Sequence, residues 1–119
     1  MKSEWVFELK GKPVPLARAR VNTKDGRFYT PKRSVNYEKA IHWAAKAAKV
    51  RKIGKGEYVK AEMLFVRKDA GRCDLDNLVK AVFDGLRYYF NDNKVYDLWA
   101  RKEKGKNEKT VIIIRYDKR

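Results

Sequence analysis

The chain has 119 residues, with 30 Lys and Arg against 15 Asp and Glu and a formal net charge of +15. That length predicts a single domain over residues 1–119, burying roughly two-thirds of its unfolded surface, and no apolar run approaches the ~18 residues of a membrane span. One Cys and one His exclude an internal disulfide and the usual zinc sets, leaving oxygen ligands and a hard cation as the expected inorganic chemistry. Charge of this size, spread along the chain, predicts a nucleic-acid partner before an anionic membrane. No signal-peptide pattern opens the sequence, so the expected location is cytoplasmic.

Glu4 to Lys10 alternates, with Trp5, Phe7 and Leu9 on one side, and predicts a strand. Gly11-Lys-Pro13-Val-Pro15 ends it, and the rigid segment that follows carries Arg18 and Arg20, which suit phosphate contacts. Asp25-Gly26 signals a hairpin turn, followed at once by Arg27, Phe28 and Tyr29. Basic and aromatic neighbours suit unpaired or distorted DNA, although the two rings would serve equally as cover for the core. Thr30-Pro31 opens a helix, as cap and first-turn proline, that runs from Pro31 or Ser34 to Lys49. Its inward face is Tyr37, Ile41, Ala44, Ala45 and Ala48, and His42 falls on the flank. The basic loop Arg51-Lys-Ile-Gly54-Lys-Gly56 stops it.

Tyr58 to Lys68 predicts a second long strand, with Val59, Ala61, Met63 and Phe65 on one face. Leu64 and Val66 on the other face predict burial on both sides at its far end, under a helix. Arg67, Lys68 and Arg72 surround the approach to Asp74. Cys73 reads as a small buried residue, because neighbouring carboxylates oppose a thiolate.

Between Arg72 and Asp97 acidic residues concentrate: Asp74, Asp76, Asp84, Asp92 and Asp97. Carboxylates gathered in so cationic a chain suggest a held divalent ion, and Mg²⁺ takes one or two carboxylates plus water and substrate phosphates. Leu75, Leu78, Val79, Val82, Phe83 and Leu86 mark one helical face, and Asp76, Lys80 and Asp84 line the next. Asp76 is expected as the N-cap and Asp74 at the end of the preceding strand, a junction where two carboxylates converge on one ion. Asp92 follows in an Asn-Asp-Asn turn that could fold back to the same point. Taken singly, these acids also read as a cap or a solvated helix pair. Lys80, one turn from Asp76, is where an ammonium could meet a phosphate.

Lys94 to Lys104 alternates again, Gly105-Lys-Asn107 turns the chain, and Thr110 to Tyr116 returns with Val111, Ile112, Ile113 and Ile114. The order strand, helix, strand, helix, hairpin predicts an α+β fold: a mixed sheet, two main helices and a C-terminal β-hairpin.

Asp74-Leu-Asp-Asn-Leu-Val-Lys-Ala-Val-Phe-Asp-Gly-Leu86, with Asn91-Asp-Asn-Lys-Val-Tyr-Asp97 after it, resembles the signature of the RusA family of Holliday-junction resolvases. Gly11–Pro15, Arg18-Ala-Arg20 and Tyr29-Thr-Pro31 resemble that family's N-terminal half, so the likeness spans nearly the whole chain. It departs in having Asn91 where many members have Asp, Ala19 where a proline is usual, and a link from Asp84 to Asp92 shorter than in some relatives.

The resemblance implies an endodeoxyribonuclease that resolves four-way junctions by paired symmetric nicks. It makes Asp74, Asp76 and Asp92 the catalytic, metal-binding acids, assisted by Lys80, with Mg²⁺ as cofactor (Mn²⁺ substituting). A homodimer on branched DNA is implied, in a bacterial or phage setting. Arg18, Arg20, Arg27, Arg67, Lys68, Arg72 and Lys80 are the expected nucleic-acid contacts. Two other readings stay open: a nuclease for flaps or forks, and a non-catalytic basic nucleic-acid-binding module.

Overall fold

Alternating apolar residues lay down the sheet, and the helices cover one of its faces. The computed structural model describes residues 3–16, 20–21, 24–29 and 31–118. Among the described residues the strands are β1 (Glu4–Lys10), β2 (Arg20–Val21), β3 (Phe28–Tyr29), β4 (Glu57–Arg67), β5 (Val95–Lys104) and β6 (Lys109–Lys118). The helices are α1 (Lys32–Ala47) and α2 (Leu75–Gly85), with 3-10 turns at Ala70–Arg72 and Asp92–Lys94. The fold is α+β, with a four-stranded mixed sheet ordered β1-β6-β4-β5 and a separate β2-β3 hairpin. That hairpin turns at Asp25-Gly26, where Gly26 takes a φ of 71° and Asp25 Oδ1 accepts the Arg27 N–H at 2.9 Å.

Cross-strand register stacks the core. Trp5 faces Ile114, which faces Ala61; Phe7 faces Ile112, which faces Met63. On this face α1 brings Tyr37, Ile41 and Ala45, and α2 brings Leu78, Val82 and Leu86 just after it. Strand β6, with Ile112, Ile114 and Tyr116 buried, lies inside the sheet between β1 and β4. β4 and β5 are parallel, which demands a crossover, and α2 supplies it.

The last two strands run antiparallel and are joined by a short turn, the expected C-terminal hairpin, but β4 lies between its arms. The turn arches past the end of β4: Gly105 N–H donates to Arg67 O at 3.1 Å, and Glu108 Oε2 accepts the Lys68 N–H at 3.0 Å. Val66 is buried against Gly105, whose added Cβ would stand 2.7 Å from Val66 Cγ1. Its cover is therefore the turn, in place of the expected helix.

Three further boundaries differ from expectation. Helix α2 begins at Leu75 with Asp74 as N-cap, because Asp74 is still extended (ψ 135°) while its carbonyl already accepts the Leu78 N–H at 3.2 Å. Asp74 follows a 3-10 turn, since β4 ends at Arg67. Pro31 is the N-cap of α1, not its first-turn residue, and Thr30 lies outside the described residues. Helix α1 closes with Lys49 left-handed (φ 63°) and Val50 N–H on Ala45 O at 3.0 Å, which satisfies the last carbonyls.

Candidate active site

The acidic turn is set on a braced base. Arg67 at the end of β4 is only 4% exposed; its Nη1 donates to Pro13 O at 2.7 Å and its Nε to Asp69 Oδ1 at 2.9 Å. Lys12 Nζ reaches the other oxygen of Asp69 at 3.2 Å. The Arg67 guanidinium holds the Asp69 carboxyl far below the usual carboxylate range, with Lys12 adding to it. Asp69 O then accepts the Arg72 N–H at 2.9 Å, closing the 3-10 turn. Lys102 on β5 donates Nζ to Cys73 O at 2.7 Å, fixing the peptide immediately before Asp74. Cys73 itself is buried.

On this base Asp74 and Asp76 are exposed, and neither makes an ion pair among the described residues. Asp74 does not use its side chain as a cap. Among the described residues Asp76 Oδ1 accepts the adjacent Asn77 N–H at 3.0 Å. Both sit at the N-terminal end of α2, where the helix dipole favours negative charge. Asn77 O accepts the Leu16 N–H at 2.9 Å, so the N-terminal segment is fastened to this same turn.

One helical turn on from Asp76, Lys80 lines an open hollow of about 410 Å³ between α2 and β5. Asp92 and Asp97 share that hollow with it, over an apolar floor that includes Val79, Phe83 and Leu98. Asp74 and Asp76 are not among its lining residues. Among the described residues no three His, Cys, Asp or Glu side chains converge on one metal position, so Asp74, Asp76 and Asp92 are not gathered into a ligand cage within this chain. The donor set nevertheless suits a hard cation: exposed carboxylates without ion pairs among the described residues, two of them two residues apart, with the neighbouring Cys73 buried.

Asp84 serves the helix pair instead. Its Oδ1 accepts Arg87 Nη2 at 2.9 Å. Glu38 on α1 lies close enough that burial and then the Asp84 charge raise its carboxyl above the ordinary value. Arg87 is bonded to Asp84 and also feels Glu38 and, more distantly, Asp92.

Of the expected nucleic-acid contacts, Lys68, Arg72 and Lys80 are exposed around the acidic turn, and Arg27 is exposed beside the β2-β3 turn. Arg67 is the correction: it is buried and committed to Pro13 and Asp69, so it is a brace for the turn and not a surface contact. Arg18 lies outside the described residues, and of Arg20 only the backbone, in β2, is described. The structure adds Asp97, which lines the hollow, and Lys102, which holds the peptide before Asp74, to the candidate site. Asp97 had a signal in its place within the acidic window, whereas the Lys102–Cys73 bond joins residues far apart in sequence and had none.

A strongly basic α+β domain that presents carboxylates and a lysine together at one helix end has the make-up of an enzyme acting on nucleic acid. The model of the family described as endodeoxyribonuclease RusA matches residues 10–115, and the chain belongs to that family. It is thus an endodeoxyribonuclease of the kind that resolves Holliday junctions. No curated protein matches the sequence.

Proposed function

We propose that this chain is a divalent-metal-dependent endonuclease that cuts four-way DNA junctions by paired symmetric nicks, acting as a homodimer. One observation carries the reading. In a chain of net charge +15, Asp74 and Asp76 stand exposed on the first turn of α2, without ion-pair partners among the described residues, one turn from Lys80. Carboxylates left unneutralised where lysines and arginines abound are what a hard cation requires.

Asp74 and Asp76, with Asp92 approaching from the turn before β5, would hold Mg²⁺ or Mn²⁺. Two protein carboxylates suffice when water and substrate phosphate complete the shell. When bound, such an ion neutralises phosphate charge and lowers the pKa of water. Lys80 Nζ would take a non-bridging oxygen of the scissile phosphate and offset the charge that grows in the transition state. The Asp92 carboxylate, in the same hollow, would accept a hydrogen bond from the attacking water and aim it. Lys68 and Arg72 would carry the flanking phosphates. Arg27 would reach them from the small hairpin, and Arg18 and Arg20 are proposed as further phosphate contacts from the sequence alone.

Homodimer formation is supported by β5, an edge strand whose Tyr96, Leu98 and Trp99 are 57%, 47% and 51% exposed. A two-fold dimer would match the two-fold symmetry of a junction. Among the described residues no three carboxylates converge into a cage, which favours a second reading, a basic module that binds branched DNA without cutting it.

Cleavage of an end-labelled four-way junction with Mg²⁺, beside a flap and a plain duplex, separates these. Paired symmetric nicks in the junction alone, falling by a factor of about 10³ or more in Asp76→Asn with junction binding retained, are expected. Tight binding by the wild type with no cutting under Mg²⁺ or Mn²⁺ would leave the binding module. Cutting of the flap in preference to the junction would reassign the substrate.

A further inference from the structure

We infer that Trp43 and Tyr88 form a stacking platform for unpaired nucleotides of single-stranded DNA, on a surface separate from the acidic turn. Both rings are 59% exposed, an unusual state for large aromatic side chains. They do not stand alone. His42 lies edge-on to both, 5.2 Å from the Trp43 ring and 5.5 Å from the Tyr88 ring, and so holds the two as one unit. Behind them Tyr89 is buried, packs 5.1 Å from Tyr88, and donates its hydroxyl to His42 O at 3.0 Å, tying the turn after α2 to the backbone of α1. The platform therefore rests on a rigid core, so little ordering remains to be done on binding.

Each exposed ring also has its own cation. Lys46 Nζ lies 4.9 Å from the Trp43 ring centre and Lys52 Nζ 4.2 Å from that of Tyr88. A ring with an ammonium over its face is the pair that a nucleotide needs: the ammonium moves off to the phosphate and the base stacks on the face it leaves. The surroundings have matching charge. Along α1, Lys32, Asn36, Lys39, Trp43 and Lys46 recur at three- and four-residue steps on the exposed side, placing Trp43 within a basic stripe. Across residues 32–55, leaving aside Arg51, which is paired with Glu57, there are seven Lys and Arg against one carboxylate, Glu38.

Duplex DNA hides its base faces, so the platform adds nothing to duplex binding and selects for unpaired bases. A second copy of this chain would meet that basic stripe with its own net positive charge, and that repulsion disfavours it as the occupant. The inference stands independently of the metal chemistry proposed for Asp74 and Asp76.

The test is fluorescence anisotropy in EDTA, where no cleavage intervenes, with a labelled oligothymidylate of about 15 nucleotides and a blunt duplex of similar length. Trp43→Ala and Tyr88→Ala are each expected to weaken oligothymidylate binding about tenfold and leave duplex binding unchanged, with Trp43→Phe recovering most of the loss. As a second readout that removes no platform residue, Trp99→Phe leaves Trp43 as the one exposed tryptophan, Trp5 being buried; oligothymidylate should quench its emission. Equal losses on both probes, no loss on either, or no quenching would overturn the inference. So would dissociation of an oligomer by Trp43→Ala with the two affinities unchanged in ratio, which would make the face a contact between copies.

Discussion

Arg51 grips Glu57 with both ends of its guanidinium, at 2.7 and 2.8 Å, and Gly54 N–H adds a third bond to the same carboxylate at 2.7 Å. The Arg51 hydrogen bonds lower the Glu57 carboxyl to about 2, against a desolvation that raises it, and the Gly54 N–H contributes in the same direction as Arg51. A folded value below the unfolded one means the pair stabilises fully above about pH 4.5, and that contribution fades as pH falls toward 2. Glu57→Gln should therefore cost about 2 kcal/mol in urea unfolding at neutral pH, with the difference from wild type shrinking between pH 4.5 and 2. A constant difference across that range would show that the pair is not what links this protein's stability to acid. Arg51 also lies over the rings of Trp5 and Tyr116, at 5.7 and 5.1 Å. Like Arg67, it belongs to the fold. A sequence counts such cations in the surface charge because nothing local marks which of them are enclosed.

The two helices meet at a glycine. A Cβ on Gly85 would lie 2.9 Å from Glu38 O and 2.9 Å from Ile41 Cβ, both parts of α1 that cannot easily yield. Gly85→Ala should force α2 away from α1 and lose about 1–3 kcal/mol, read as a lower Tm despite the better helix propensity of alanine. A raised Tm would mean the helices slide apart without cost. The helices themselves were legible. The spacing of Leu75, Leu78, Val79, Val82 and Leu86 gave α2 its inward face, and Tyr37 and Ile41 did so for α1, since helical periodicity is a property of neighbours. The cap was misjudged by two residues because Asp74 and Asp76 both suit an N-cap and only backbone geometry distinguishes them. The position of Asp74 and Asp76 on one turn was readable in the same way. That Asp92 would share a hollow with Lys80 and Asp97, while Asp74 and Asp76 stay outside it, depends on how α2 packs on β5, which no local pattern records.

At the scale of the molecule, strand order decides what is left uncovered. Alternation located β4, β5 and β6, but which strand takes the edge depends on competition for burial. β6, with Ile112, Ile114 and Tyr116 all buried, occupies the interior of the sheet and pairs with β4, so β5 takes the edge. Its Leu98 points to the helix side and is still exposed, and Trp99 on the other side is exposed too. An edge strand with large apolar side chains exposed on both faces is an open template for another strand. Lys80, Asp92 and Asp97 border it, so a second copy joined here would bring two such hollows to one seam. Sedimentation at about 10 μM should give a dimer for the wild type, and the double variant Leu98→Glu, Trp99→Glu should give a monomer with nearly unchanged Tm, because both side chains are exposed in the single chain. If the proposed homodimer works through this seam, the monomeric variant still nicks single strands of a junction but loses the pairing of the two cuts. A wild-type monomer, or a double variant that remains dimeric, would remove β5 as the interface.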